Sequence, residues 1–259
     1  VMEIMAPHLL DGCVVTDTGS TKAEVMTWAE EILPSHVSFV GGHPLAGKEA
    51  SGPGAADAKL FENATYCIIP SARVKKEAVN SVVKVVKLIG AIPFFIDVKE
   101  HDSFVAAVSH LPLILSSALV ASTTKSPAWH EMARLAASGY RDLTRLASGD
   151  PEMNRDICLT NAKEIAPWLD RLIAELLEVK RYIEESDDEA LTHYFLQNYQ
   201  QREKWMAGVP LGPSTFGDVD IPSAGEQMGS LLFGQLMSQK AKALLAQYEK
   251  PQDLGKKKF

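Results

Sequence analysis

Four short stretches of the chain group side chains that can do chemistry. Asp17-Thr18-Gly19-Ser20-Thr21-Lys22 sits just after a β-branched run and just before a helical one. Ligands of open parallel sheets bind beyond the carboxyl ends of the strands, so Ser20 would stand there with a hydroxyl to offer. The plainer reading is a helix N-cap. Gly41-Gly42-His43-Pro44-Leu45-Ala46-Gly47 also follows a strand. Its glycines would let backbone approach a ligand closely. Pro44 disfavours helical geometry at His43 and holds it extended at the sheet edge. A histidine so placed can serve as acid, base or hydrogen-bond partner near neutral pH. The plainer reading is a surface turn.

The third stretch is Glu100-His101-Asp102 with Ser109-His110-Leu111-Pro112. At 3.6 residues per turn, His101 and His110 fall about half a turn apart and cannot share one straight helix face. That argues against a helix-borne metal pair, and no metal site is expected. His110 can also be read as a satisfied core histidine beside a kink. The fourth, Gly139-Tyr140-Arg141-Asp142-Leu143-Thr144-Arg145, carries two arginines and an aspartate. Arginine is the natural bidentate partner of a carboxylate, although a surface ion-pair cluster would look the same.

The elements that must position these residues change character along the chain. Strands are predicted at 14–17, 37–40, 66–69 and 93–97, with helices at 21–33 and 74–88 between them. Strands separated by helices imply βαβ units and a largely parallel sheet. After about residue 98 the pattern is helical. Residues 102–122 are apolar nearly all round, which predicts a buried helix, kinked at Pro112. Gly149-Asp150-Pro151-Glu152 reads as a helix start. Ile165, Leu169, Leu172, Leu176, Val179 and Ile183 form a short heptad seam, suited to pairing in a bundle or across a dimer. Ser186-Asp187-Asp188-Glu189 reads as a capping box. The implied divisions are 1–98, an α/β part; 99–207, an all-helical part; and 208–259, an extension of unknown role.

The net charge of −7 and the lack of a long basic block argue against nucleic acid but leave room for a local anion pocket. Cys13, Cys67 and Cys158 are odd in number and widely spaced, which suits a reducing cytoplasm. No uninterrupted apolar run of about 18 residues is found, so no membrane span is expected. The chain opens at Val1 on what reads as the end of a helix, and no GxGxxG is present. A missing N-terminal piece is the expectation; a truncated domain that works alone is the alternative.

In this order, TDTGSTK, FVGGHPLAGKEASG, EHD, VSHLP, GYRDLTRLASGDPEM and RDI resemble the prephenate/arogenate dehydrogenase family over roughly residues 1–185. The resemblance implies a Rossmann-type domain joined to an all-helical dimerisation domain, with the dinucleotide glycine loop upstream of Val1. It implies oxidative decarboxylation of prephenate or arogenate with NAD or NADP, by a cytoplasmic homodimer of the tyrosine pathway. His43 would be the catalytic histidine, and Ser20 would orient it near the nicotinamide. Gly19 and Ser20 would face the cofactor. Arg145 would bind a substrate carboxylate, with His101, His110, Glu49 and Asp142 lining or organising the site. Leu113, Lys48 and Asn154 depart from residues frequent in the family. The alternatives are a β-hydroxyacid-type dehydrogenase, which would want a lysine on the interdomain helix, and a non-catalytic helical assembly or regulatory module.

Overall fold

A computed structural model describes residues 1–48, 52–71 and 73–208; Glu49 and residues 209–259 lie outside the described residues. The chain divides into the units Val1–Leu211 and Gly212–Phe259, and only the first is described.

Four strands form one sheet in the order of the sequence: β1 (Val14–Thr16), β2 (Ser38–Pro44), β3 (Thr65–Pro70) and β4 (Ile92–Phe95). After a first turn, α1 (Met2–Met5), helix α2 (Ala23–Ile32) crosses from β1 to β2, and α3 (Lys76–Leu88) from β3 to β4. Both crossovers give parallel pairs, as right-sized helical connections require. The middle pair is antiparallel, with Val40 opposite Pro70 and Pro44 opposite Tyr66. The segment between β2 and β3 has no crossover helix among its described residues, only the short turn Pro53–Ala55. The chain therefore returns beside its own end. The sheet is parallel in two ladders of three.

Strand β2 does not stop at its glycines, as the sequence suggests, but runs through them to Pro44. They make room for neighbours. A Cβ on Gly42 would sit 2.5 Å from the Asp17 carbonyl oxygen, and one on Gly41 would sit 3.0 Å from the Met26 sulfur. Val40, Ile68, Ile69 and Cys67 of the central strands are buried against Ala78, Val79, Val82 and Val86. These four lie on one face of α3 at helical spacing. Gly90, at φ +78°, ends that helix. Met2, Met5 and Leu9 pack on Val15, Ala29 and Phe39 at the other side of the sheet.

The helical part is α4 (Val98–Val105), a π turn (Ala106–His110), α5 (Leu111–Thr124), α6 (Trp129–Met132), α7 (Ser138–Thr144), α8 (Pro151–Thr160), α9 (Ala162–Glu184) and α10 (Asp188–Met206). The expected kink at Pro112 is replaced by the π turn just before it. Pro112 then lies in the first turn of α5, where its missing N–H is not needed. Asp150 caps α8 through the Met153 N–H at 2.8 Å. The expected cap of α10 shifts by one residue. Asp187 accepts from the Ala190 N–H, while Ser186, at φ +53°, closes the end of α9.

The expectation that residues 102–122 are buried fails in the single chain. Asp102, Val105, Ala106, His110 and Ser116 are buried, but Val108 is 77% exposed. The seam on α9 behaves alike: Ile165 is buried, whereas Leu176 and Ile183 are exposed. By length and composition alone the helical run Val98–Thr124 is also long and apolar enough to cross a membrane.

Candidate active site

His43 sits on β2 opposite Cys67, where β1 has already ended. Its Nδ1 lies 2.8 Å from Nε2 of His101 on α4, and the two rings meet edge to face. Nδ1 of His101 lies in turn 2.7 Å from Oδ1 of Asp102. All three side chains are buried. Burial, then the neighbouring His101 and Lys22, pushes the His43 pKa down to about 3, so the ring stays neutral at ordinary pH. With Nδ1 engaged, Nε2 is the nitrogen that has no hydrogen-bond partner among the described residues.

Asp102 holds more than His101. Its carboxylate accepts from the backbone N–H of Lys22 at 2.9 Å and of Ala23 at 2.8 Å, at the start of α2. Burial opposes its charge, but the hydrogen bonds from His101, Ala23 and Lys22 prevail and hold its pKa below the usual carboxylate range. The loop before α2 is fixed from the other side. Asp17 accepts from the N–H groups of Gly19 (2.9 Å) and Gly42 (3.0 Å) and pairs with the ammonium of Lys22. Lys22 is fully buried. Burial lowers its pKa, with Asp17 working in the opposite direction.

His110 belongs to the same buried group. The side-chain amide of Asn161 donates to the Asp102 carbonyl (2.8 Å) and meets His110 Nδ1 (3.1 Å). The expectation that His101 and His110 cannot share a face held for a straight helix only. The intervening π turn rotates less per residue, and Asn161 bridges His110 to the backbone of Asp102, next to His101. Nε2 of His110 is buried without a hydrogen-bond partner among the described residues. Burial lowers the His110 pKa to about 4.

The structure thus joins His43, His101 and His110 through Asp102 and Asn161, with Gly19 and Ser20 in the adjoining loop. It does not give Ser20 the role of orienting His43. Among the described residues the Ser20 hydroxyl makes no hydrogen bond, and His101 fixes the ring. Asp142 on α7 and Arg145, which opens the turn Arg145–Ser148, are both exposed. That turn is pinned to α5 by the Ala147 N–H on the buried Ser116 hydroxyl at 2.9 Å. Glu49 lies outside the described residues. Sequence reasoning set Lys22 and Asp102 inside its candidate stretches but gave neither a role, and it missed Asn161. Asp102 had a signal, since it directly follows His101; Asn161 had none beyond its polarity.

A Rossmann-type sheet carrying a buried polar site at the carboxyl ends of β1 and β2, closed by helices from a second region, defines the general class: a nucleotide-binding half followed by an all-helical half. The comparisons narrow it. Residues 1–93 match the family profile described as the prephenate dehydrogenase nucleotide-binding domain, and residues 97–197 match the prephenate dehydrogenase dimerization domain. The chain is 39% identical over 201 residues to a prephenate dehydrogenase of Bacillus subtilis, covering 76% of this chain and 53% of that protein. It is 31% identical over 204 residues to a cyclohexadienyl dehydrogenase of Zymomonas mobilis, covering 78% of this chain and 69% of that one. Among solved structures, prephenate dehydrogenase from Aquifex aeolicus in complex with hydroxyphenyl propionate and NAD+ superposes with a TM-score of 0.72 at 29% identity, over 78% of this chain and 71% of that one. The chain belongs to the prephenate dehydrogenase family. It spans about half the length of the first curated relatives it matches.

Proposed function

We propose that this chain forms the greater part of an NAD(P)-dependent dehydrogenase that oxidatively decarboxylates prephenate or arogenate in tyrosine biosynthesis. The observation that carries the reading is His43: buried, neutral, anchored through Nδ1, and left with Nε2 for a ligand at the carboxyl end of a nucleotide-binding sheet. His43 accepts the proton of the substrate's ring hydroxyl as the ring carboxylate leaves as CO2 and the ring becomes aromatic. The low pKa keeps it in the accepting form near neutral pH. Arg145 receives a substrate carboxylate, and the protein's remaining task is positioning.

The loop after β1 fits a nicotinamide. Gly19 and the Ser20 hydroxyl lie at the strand's carboxyl end, and the hydroxyl is not consumed by an internal hydrogen bond among the described residues. When bound, NAD or NADP supplies the hydride acceptor. His43→Asn in the full-length enzyme is expected to lower kcat by roughly 10²–10⁴-fold, the usual range for a general base, with little change in KM. A kcat near wild type would remove His43 from the reaction.

A second copy of the chain completes the helical region. Apolar side chains on α9 and α10 remain uncovered in the single chain, Leu177 at 60% and Phe195 at 61% exposure, as does Val108 in the π turn. The match of residues 97–197 to a dimerization domain supports their burial in a homodimer. Light scattering of the full-length protein at micromolar concentration should give twice the chain mass, and a monomer would contradict this. Free thiols at Cys13, Cys67 and Cys158 are consistent with a reducing cytoplasm.

A further inference from the structure

The contact between His43 and His101 says which nitrogens face each other, not which one carries the proton. Asp102 decides that. Its carboxylate is held ionised by two backbone N–H donors, those of Lys22 and Ala23, and can only accept. Nδ1 of His101 must therefore carry hydrogen. In its neutral form His101 turns a bare Nε2 toward His43, and in that form Nδ1 of His43 donates across the 2.8 Å contact. Nε2 of His43 is left with a lone pair.

We propose that Asp102 is a positioning residue of this site: through His101 it holds His43 in the tautomer protonated at Nδ1, with Nε2 as the proton acceptor. The inference rests on the reading of His43 as the base. When Nε2 takes the hydroxyl proton, His43 becomes an imidazolium. Its Nδ1–H bond to His101 becomes charge-assisted, and the ionised Asp102 stands at the far end of the chain to offset the charge. Buried aspartates in serine hydrolases act on their histidines by the same logic, with one imidazole fewer in the line.

The geometry explains why a carboxylate is needed. Oδ1 serves both His101 and the Lys22 N–H, and Oδ2 serves the Ala23 N–H. Donors thus meet both oxygens. An amide could offer an oxygen to only one side, and it could face His101 with either its oxygen or its NH2 group. The carboxylate is itself immobilised. Helix α2 has no side-chain cap of its own, so the Asp102 oxygens fill that place. Asn161 holds the Asp102 carbonyl from behind.

Selective ¹⁵N-histidine labelling of the full-length protein, read by long-range ¹H–¹⁵N correlation, reports each ring's tautomer without reference to activity. The wild-type spectrum should show His43 and His101 protonated at Nδ1. Asp102→Asn should give mixed tautomers and a kcat lowered by roughly 10²–10⁴-fold, with KM for substrate held within about threefold. Because Asp102 also caps α2, His101→Leu is the second variant. It leaves both backbone bonds to Asp102 in place and should lower kcat similarly while secondary structure by circular dichroism is kept. A wild-type His43 protonated at Nε2, or either variant folded with wild-type kcat, would overturn the proposal. If His43→Asn kept its kcat while the wild-type tautomers came out as expected, the base reading would fall and the tautomer assignment would stand.

Discussion

Two buried histidines should make this protein acid-sensitive well above the carboxylate range. His43 and His110 are both more than nine-tenths buried, with pKa values lowered from 6.5 to about 3 and about 4. In the unfolded chain each regains its ordinary value. Below pH 6.5 the unfolded state binds protons that the folded state refuses, so stability falls as pH falls. The loss begins near 6.5 and continues toward the folded values. Each histidine contributes about 1.4 kcal/mol per pH unit in that window. Between pH 7 and pH 5 the pair should therefore cost about 4 kcal/mol, a large share of the 5–15 kcal/mol of an ordinary domain. Asp102 acts in the same direction, because its lowered pKa also lets the unfolded chain bind a proton that the folded chain refuses, but it does so only below about 4. Urea unfolding of the full-length protein at pH 7, 6 and 5 reads the effect as a falling midpoint. His110→Asn should roughly halve the slope, since one of the two groups is gone. Unfolding free energies that differ by less than about 1 kcal/mol between pH 7 and 5 would refute the argument: the histidines would then be solvated or already charged in the folded state.

Two other perturbations test the site from either side. Arg145→Ala should raise KM for prephenate or arogenate by at least about tenfold, roughly 1.4 kcal/mol, and leave the cofactor KM nearly constant in steady-state assays; an unchanged substrate KM would end its carboxylate-binding role. Lys22→Met should destabilise the fold by about 3–5 kcal/mol in urea, because the Asp17 charge loses its buried partner, whereas a surface lysine would show next to nothing.

The sequence carried the elements better than their joints. The four strands and the crossover helices α2 and α3 fall within a few residues of expectation, because β-branched runs and helical periodicity are local signals. The antiparallel return of β3 was foreshadowed by the lack of a readable helix between Val40 and Tyr66, but the parallel prior overrode it. Gly41 and Gly42 looked like a strand end because glycine has low strand propensity. What keeps them in the strand is the Asp17 loop pressed against them, a tertiary fact. The apolar character of α5 was legible, yet its cover was not, because residues buried in one chain and residues awaiting another copy look alike in sequence. The histidines could be picked out by type and setting. Their connection could not, since it depends on a π turn and on Asn161, more than fifty residues downstream. The burial of Lys22 was hidden for the opposite reason: a lone lysine in a polar loop reads as solvated, and only the Asp17 carboxylate makes its burial possible.

The cap on α2 also bears on how such proteins can be recombined. Family segments 1–93 and 97–197 look like exchangeable modules, the first ending within strand β4 and the second opening at the cap of helix α4. Physically the cut runs between a helix and the carboxylate that completes it. A hybrid built from the sheet half of one relative and the helical half of another inherits a working α2 only if the donor places an acidic residue at the second position after Glu100 and at the same depth. A sheet half prepared alone would carry α2 with its first backbone N–H groups open to water, and the Ser20 loop with nothing to hold its far end. The boundary that sequence comparison draws is thus a boundary of inheritance, while the cooperative unit straddles it.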